Sequence, residues 1–170
     1  MSEKKESLKS VRVELIPPNK SPYKLLKKMR DKYHREVRKA KIALAWRIKI
    51  KPDKDGHLLL GKCVRTSDLQ RELADWDYVI LLNKEVWNDP EFTKKKKYAL
   101  LDHELCHAAP VYNRKGKQRK NTRGRYIFRM RDHDIEEFRD IVKRHGCYKQ
   151  DLELFAEALL KRRRKERKPA

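Results

Sequence analysis

His103, Glu104 and His107 form an H-E-x-x-H string inside Tyr98-Ala-Leu-Leu-Asp-His103-Glu-Leu-Cys-His107-Ala-Ala-Pro110. The segment reads as a helix, and residues four apart share one helical face. Two imidazole nitrogens on that face can hold one tetrahedral Zn2+. Glu104 follows the first histidine directly, so its carboxylate points beside the metal. A carboxylate there can take a proton from zinc-bound water and pass it to a leaving amine. Zinc also polarises a substrate carbonyl. These residue types at this spacing therefore point to hydrolysis, first of all of a peptide bond.

A catalytic zinc needs a third protein ligand and one open position. A metzincin would carry Gly and His where Pro110 and Asn113 stand, so that arrangement is excluded. The dense later cluster is Asp132-His133-Asp134-Ile-Glu136-Glu137-Phe138, and His133 is the first candidate. If Asp134 caps a helix, Glu137 falls at the capping-box position and binds backbone instead. Glu137 stays as an alternative. So does Glu136, which with Asp140 makes an E-x-x-x-D pattern resembling the gluzincin second motif. Cys106 points about a third of a turn from the ligands and reads as a small core residue. Cys63 and Cys147 read as structural, His34 as a core-edge histidine and His57 as exposed. Tyr112 and Tyr126 are each able to donate to an oxyanion.

The elements that must position these residues follow from periodicity. Leu25, Leu26, Met29, Tyr33, Val37 and Ala40 recur at helical spacing, behind a start at Ser21-Pro22. Alternation over Leu44–Ile50 predicts a half-buried strand. Pro52-Asp-Lys-Asp-Gly56 is turn chemistry, which makes His57–Val64 the returning strand of a hairpin, with Gly61 as a bulge. Ser67 and Gln70 form a capping-box pattern for a helix ending near Ala74. Tyr78–Leu82 is a run suited to a buried strand, in the place of a zincin's substrate-lining edge strand. Asp89-Pro90-Glu91 predicts the start of the H-E-x-x-H helix, which Pro110 would stop near Ala109. Asn113–Arg125 holds seven basic residues and no acid, and reads as a mobile loop. A short strand at Tyr126–Phe128, a helix from Asp132 or Asp134 to Gly146, and a last helix from Asp151 complete the reading.

Of 170 residues, 46 are Lys or Arg and 25 are Asp or Glu, a net charge of +21 that attracts polyanions. Non-specific nucleic acid is thus a candidate partner beside a protein or peptide substrate. No apolar run is long enough for a membrane span. The charged start has no apolar stretch behind it, so it does not read as a secretory signal. Three cysteines without a C-x-x-C pair suit a reducing, cytoplasmic setting. The organisation expected is a disordered charged lead over 1–20, a domain over 21–160 and a basic tail over 161–170.

Several strings together resemble the phage metallopeptidase family. They are Ala45-Trp46-Arg47, Lys51-Pro-Asp-Lys-Asp-Gly56, Tyr78-Val-Ile-Leu-Leu-Asn83 with Trp87, His103–His107, His133–Phe138 and Arg144-His-Gly146. The similarity spans roughly Tyr23 to Tyr148. It implies an α+β, zincin-like (minimal gluzincin or SprT-like) single domain encoded by a phage or prophage. A small antiparallel-containing sheet would pack on helices, the H-E-x-x-H helix among them. His103-Glu-Leu-Cys-His-Ala-Ala also looks like SprT-type proteases, whose eukaryotic relatives cut proteins crosslinked to DNA. Those carry the third histidine in an H-G-x-x-F context, whereas here Asp134 follows His133 and Phe138 lies one residue further on. The leading expectation is a zinc metallopeptidase. The alternatives are a DNA-associated SprT-like protease and a nucleic-acid-binding protein with a structural or vestigial zinc.

Overall fold

Lys49 takes a left-handed backbone (φ 61°), and this ends the second of four strands in a mixed sheet. The computed structural model describes residues 12–136 and 139–166. The lead over 1–10, the candidate ligand Glu137 and residues 167–170 lie outside the described residues. The chain forms two compact units, 1–131 and 132–170.

In the first unit the strands are β1 (Arg12–Leu15), β2 (Ile42–Ile48), β3 (Gly61–Arg65) and β4 (Tyr78–Asn83), in the order β1-β2-β4-β3. The hairpin expected from β2 and β3 does not form: β2 pairs parallel with β4, and β3 pairs antiparallel with the other side of β4. The reason is burial. Tyr78, Ile80 and Leu82 are all fully buried, and the strand that gives the core this much of its face takes the inner place, with a neighbour on each side. Tyr78–Leu82 is therefore the inner strand, and β3 is the edge. Gly61 opens β3 opposite Leu82 in regular register, so the expected bulge is absent. β1 lies within the stretch expected as a disordered lead. It is an edge strand held by backbone pairing with β2, its Val13 and Leu15 exposed, its Glu14 bound by Lys84 at 3.2 Å. Few apolar residues are needed for that, which is why periodicity misses it.

α1 (Ser21–Tyr33) begins with Lys20, not Ser21, at its cap, has Pro22 in its first turn, and buries Leu26 and Met29. A single 3-10 turn (Arg35–Val37) follows. α2 (Asp68–Ala74) has the expected capping box between Ser67 and Gln70. α3 (Lys84–Asn88), not expected, is capped by the Asn83 side chain. The Asp89 carboxylate accepts Glu91 N–H at 2.7 Å in a turn, and the next helix begins later, capped by Thr93. This α4 (Lys94–Cys106) ends three residues before Ala109. β5 (Ala108–Pro110) and β6 (Phe128–Met130) form a second, two-stranded sheet. Leu26, Met29, Leu44, Ile80, Leu82, Leu101 and Leu105 share one core between the sheet, α1 and α4.

The segment expected as a mobile basic loop is built from two alike turns. Asn113 Oδ1 accepts the N–H groups of Lys115 and Lys117 (2.9 and 3.0 Å), and Asn121 Oδ1 those of Arg123 and Arg125 (both 3.0 Å). Gly116 and Gly124 supply the positive φ each turn requires. Backbone bonds link Arg119 to Val111, Ile127 to Arg119 and Val111 to Ile127, between 2.7 and 3.1 Å. The Asn-x-x-Gly unit recurs after eight residues, a local signal that the run of charges masks.

The second unit contains α5 (Arg139–His145) and α6 (Gln150–Glu166). Residues 132–136 are not helical, so neither Asp132 nor Asp134 is the cap expected there. α5 ends at Gly146, at φ 69°. α6 takes in much of the expected tail, because Lys and Arg are good helix formers and suit a helix C-terminus.

Candidate metal centre and active site

The buried stripe of α4 runs through Leu101, Glu104 and Leu105. A carboxylic acid on the core side of a helix costs stability unless something compensates or uses it. Glu104 is only 3% exposed, and its carboxylate accepts the backbone N–H of Cys63 on β3. Burial pushes its pKa above the ordinary carboxylate value, while the Cys63 N–H and His107 pull it back. That brings it nearer neutrality, where a general base works best.

His103 and His107 stand on the adjoining face, with ring centroids 5.1 Å apart and a nitrogen of each within 4.8 Å of the other. His103 is exposed and His107 half-buried. Arg131 fixes His107 twice. Its backbone N–H donates to His107 O at 2.8 Å, and its carbonyl accepts from His107 Nδ1 at 2.7 Å. A carbonyl can only accept, so Nδ1 carries the proton and Nε2 is the nitrogen offered to a metal. Beyond His107, Ala109 N–H donates to the Tyr78 hydroxyl at 3.3 Å, and that hydroxyl donates to Arg129 O at 2.6 Å. Tyr78 thus ties β5 and β6 to the central strand. The donor set fits zinc: two imidazoles at helical spacing, one with its tautomer set by a backbone carbonyl, beside a buried carboxylate.

Gly61 has a different role from the one its sequence context suggests. A Cβ there would meet Glu104 Oε1 at 2.6 Å and Leu100 Cδ1 at 3.0 Å. Glycine inside a strand marks close approach of another group, and here the group is the candidate base. Gly61→Ala should displace the Glu104 carboxylate and cut any activity that depends on it by about 100-fold, the order expected for misplacement by about 1 Å. Zinc binding should be retained. Unchanged turnover in a folded Gly61→Ala variant would show that the contact does not position the base.

The remaining candidates differ in exposure and partners. His133 and Glu136 are exposed residues of the second unit, preceding α5. Cys106 is exposed rather than in the core, because position 106 lies off the buried stripe. Cys63 is buried, which pushes its thiol up to about 12, while Cys147 and His57 are exposed. The Tyr126 hydroxyl accepts from Lys39 Nζ at 2.8 Å, and Tyr112 lines a cavity beside Cys106 and His34. His34 is buried, and its Nε2 donates to Asp102 Oδ1 at 2.6 Å. Sequence reasoning misses the Cys63 N–H and the Arg131 carbonyl. Both are backbone groups brought in from distant segments, and side-chain spacing carries no sign of them.

Among the described residues no helix is long and apolar enough to cross a membrane. No curated protein and no solved structure matches the chain. A family profile does, over residues 16–160, which contain every residue of the site. The chain belongs to the family described as "Putative phage metallopeptidase".

Proposed function

We propose that the protein is a zinc-dependent peptidase in which His103, His107 and His133 hold the metal and Glu104 is the general base. The observation that carries this reading is the Glu104 carboxylate, buried on the core side of α4 beside two histidines at ligand spacing. Zinc bound there would lower the pKa of water and polarise the scissile carbonyl. Glu104 takes a proton from the attacking water and delivers it to the leaving amine. Gly61 and the Cys63 N–H hold that carboxylate in place. The edge strand β3 beside it offers backbone groups to an extended peptide. His133 is favoured as third ligand by chain reach: it lies two residues, at most about 7 Å, beyond Arg131, which is itself bonded to His107.

The test is zinc content together with cleavage of an unfolded protein substrate. Replacing both His103 and His107 by alanine should remove about one zinc equivalent and all hydrolysis. His133→Ala should weaken zinc at this site far more than Glu136→Ala. The reverse order would reject His133, and a double variant that keeps its zinc would reject the centre itself.

A second reading adds a polyanion to the same enzyme, acting in the cytoplasm of a phage-infected bacterium. It is favoured by the two asparagine-held turns, which present cations on a fixed frame. Arg123 pairs with Glu72, and Arg125 with Glu72 and Asp75. The first turn, with Arg114, Lys115 and Lys117, is therefore the better candidate for phosphate binding. Replacing these three by alanine should flatten the salt dependence of DNA binding by about 0.9 in log–log slope for each phosphate no longer neutralised. Binding that is undetectable at low salt, or a slope the triple variant leaves unchanged, would remove this reading.

A further inference from the structure

α4 carries a second pair of potential ligands four residues apart. Asp102 and Cys106 each precede one of the histidines, about 100° round the helix. His34, at the C-terminal cap of α1, meets them there. One ligand atom from each of His34, Asp102 and Cys106 lies within 4.8 Å of the other two. We propose that these three residues form a second zinc site, distinct from the H-E-x-x-H centre, that ties the end of α1 to α4.

Three observations support it. First, the His34 side chain is 8% exposed, so its orientation is set by packing, and Nε2 is directed at Asp102 Oδ1. Second, Nδ1 on the other side of the ring is 3.7 Å from Glu36 Oε1. At that distance Glu36 is not yet hydrogen-bonded to the ring, but a small approach would let it accept an Nδ1 proton, the carboxylate–histidine arrangement typical of zinc sites. Third, the site borders a cavity of about 700 Å³ lined by Tyr33, Glu36, Tyr112 and Arg131 as well as His34 and Cys106. The cavity leaves room for a fourth, exchangeable ligand.

Imidazole, carboxylate and thiolate together suit zinc among the common cations, since the sulfur disfavours magnesium and calcium. On a tetrahedral zinc, ligand atoms sit about 3.3–3.8 Å apart. His34 Nε2 and Asp102 Oδ1, now 2.6 Å apart across a proton, need to part by only about 1 Å. The zinc takes the place of the Nε2 proton, the neutral imidazole keeps its one proton on Nδ1, on the side of Glu36, and the Cys106 thiol releases its own proton to solvent as it binds as thiolate. His103 and His107 are not involved, so the site does not depend on the peptidase reading.

Cobalt substitution of the full-length protein, in a non-thiol reductant, tests this. A thiolate bound to cobalt gives an intense near-ultraviolet charge-transfer band, and the H-E-x-x-H centre contains no sulfur. Wild type should take up about two cobalt ions per chain and show the band. Cys106→Ser, at an exposed position where folding is not at risk, should lose the band and one equivalent. Glu36→Gln should keep the band and weaken cobalt affinity at this site by about 10–100-fold. The variant lacking His103 and His107 should keep the band while losing the other equivalent, so failure of one site is told apart from failure of the other. A folded wild type without the band, or a Cys106→Ser variant that retains it, would overturn the proposal. In either case the His34–Asp102 contact would be a hydrogen bond and nothing more.

Discussion

Glu104→Gln should lower hydrolysis by about 10²–10⁴-fold, the usual loss on removing a general base, while zinc content and folding stay nearly intact. The change is almost isosteric. The glutamine oxygen can still accept the Cys63 N–H that the carboxylate accepts now. Burial raises the pKa of the carboxyl, so ionised Glu104 sits in the core against a desolvation penalty that a neutral amide avoids. The variant should therefore be no less stable than wild type when both are metal-free. What the amide cannot do is accept a proton from water. Initial rates on an unfolded protein substrate, with zinc measured on the same sample, check the prediction. Loss of zinc or unfolding in Glu104→Gln would make the residue structural. Full activity in the variant would mean that the measured hydrolysis arises elsewhere.

The second large effect concerns the seat of the α4 helix. Leu101 is fully buried two residues before His103, in the core shared with Leu26, Ile80 and Leu105. Leu101→Ala should cost about 2–5 kcal/mol, because the forfeited transfer energy adds to that of a cavity the rigid sheet cannot close. That is a large share of the roughly 5–15 kcal/mol available to a domain. Leu69→Ala on α2, where the leucine is 70% exposed, should change stability by less than about 0.5 kcal/mol. Urea unfolding of the two variants gives the comparison, with an unchanged m-value as the sign that the denatured state is unaltered. Near-equal midpoints would mean that α4 is not anchored through Leu101.

Features that depend on neighbours along the chain are legible in the residues themselves. The spacing of His103, Glu104 and His107 puts the first two in α4 and the third at its C-terminal cap. Ser67 and Gln70 close a capping box, β2 shows as an alternation and β4 as an apolar run, and Gly146 ends α5. The tight turn at Asp53–His57, where the Asp53 carboxylate accepts the N–H groups of Asp55 and His57, is legible in the same way. Such features form because a few adjacent residues satisfy one another's backbone groups.

Pairing between distant segments, by contrast, comes from the packed fold. A strand's alternation says which face is buried but not which neighbour it takes, so periodicity pairs β2 with β3 where the inner strand β4 claims both. Gly61 reads only as a break in a strand until the Glu104 carboxylate fills the space where its side chain would be. The same holds for the Arg131 carbonyl that sets the tautomer of His107, and for the meeting of His34 with Asp102, 68 residues apart. Each arises from packing rather than from periodicity. Close packing of a small core leaves little choice of position once the sheet order is set, and that order is a non-local property that local spacing does not encode.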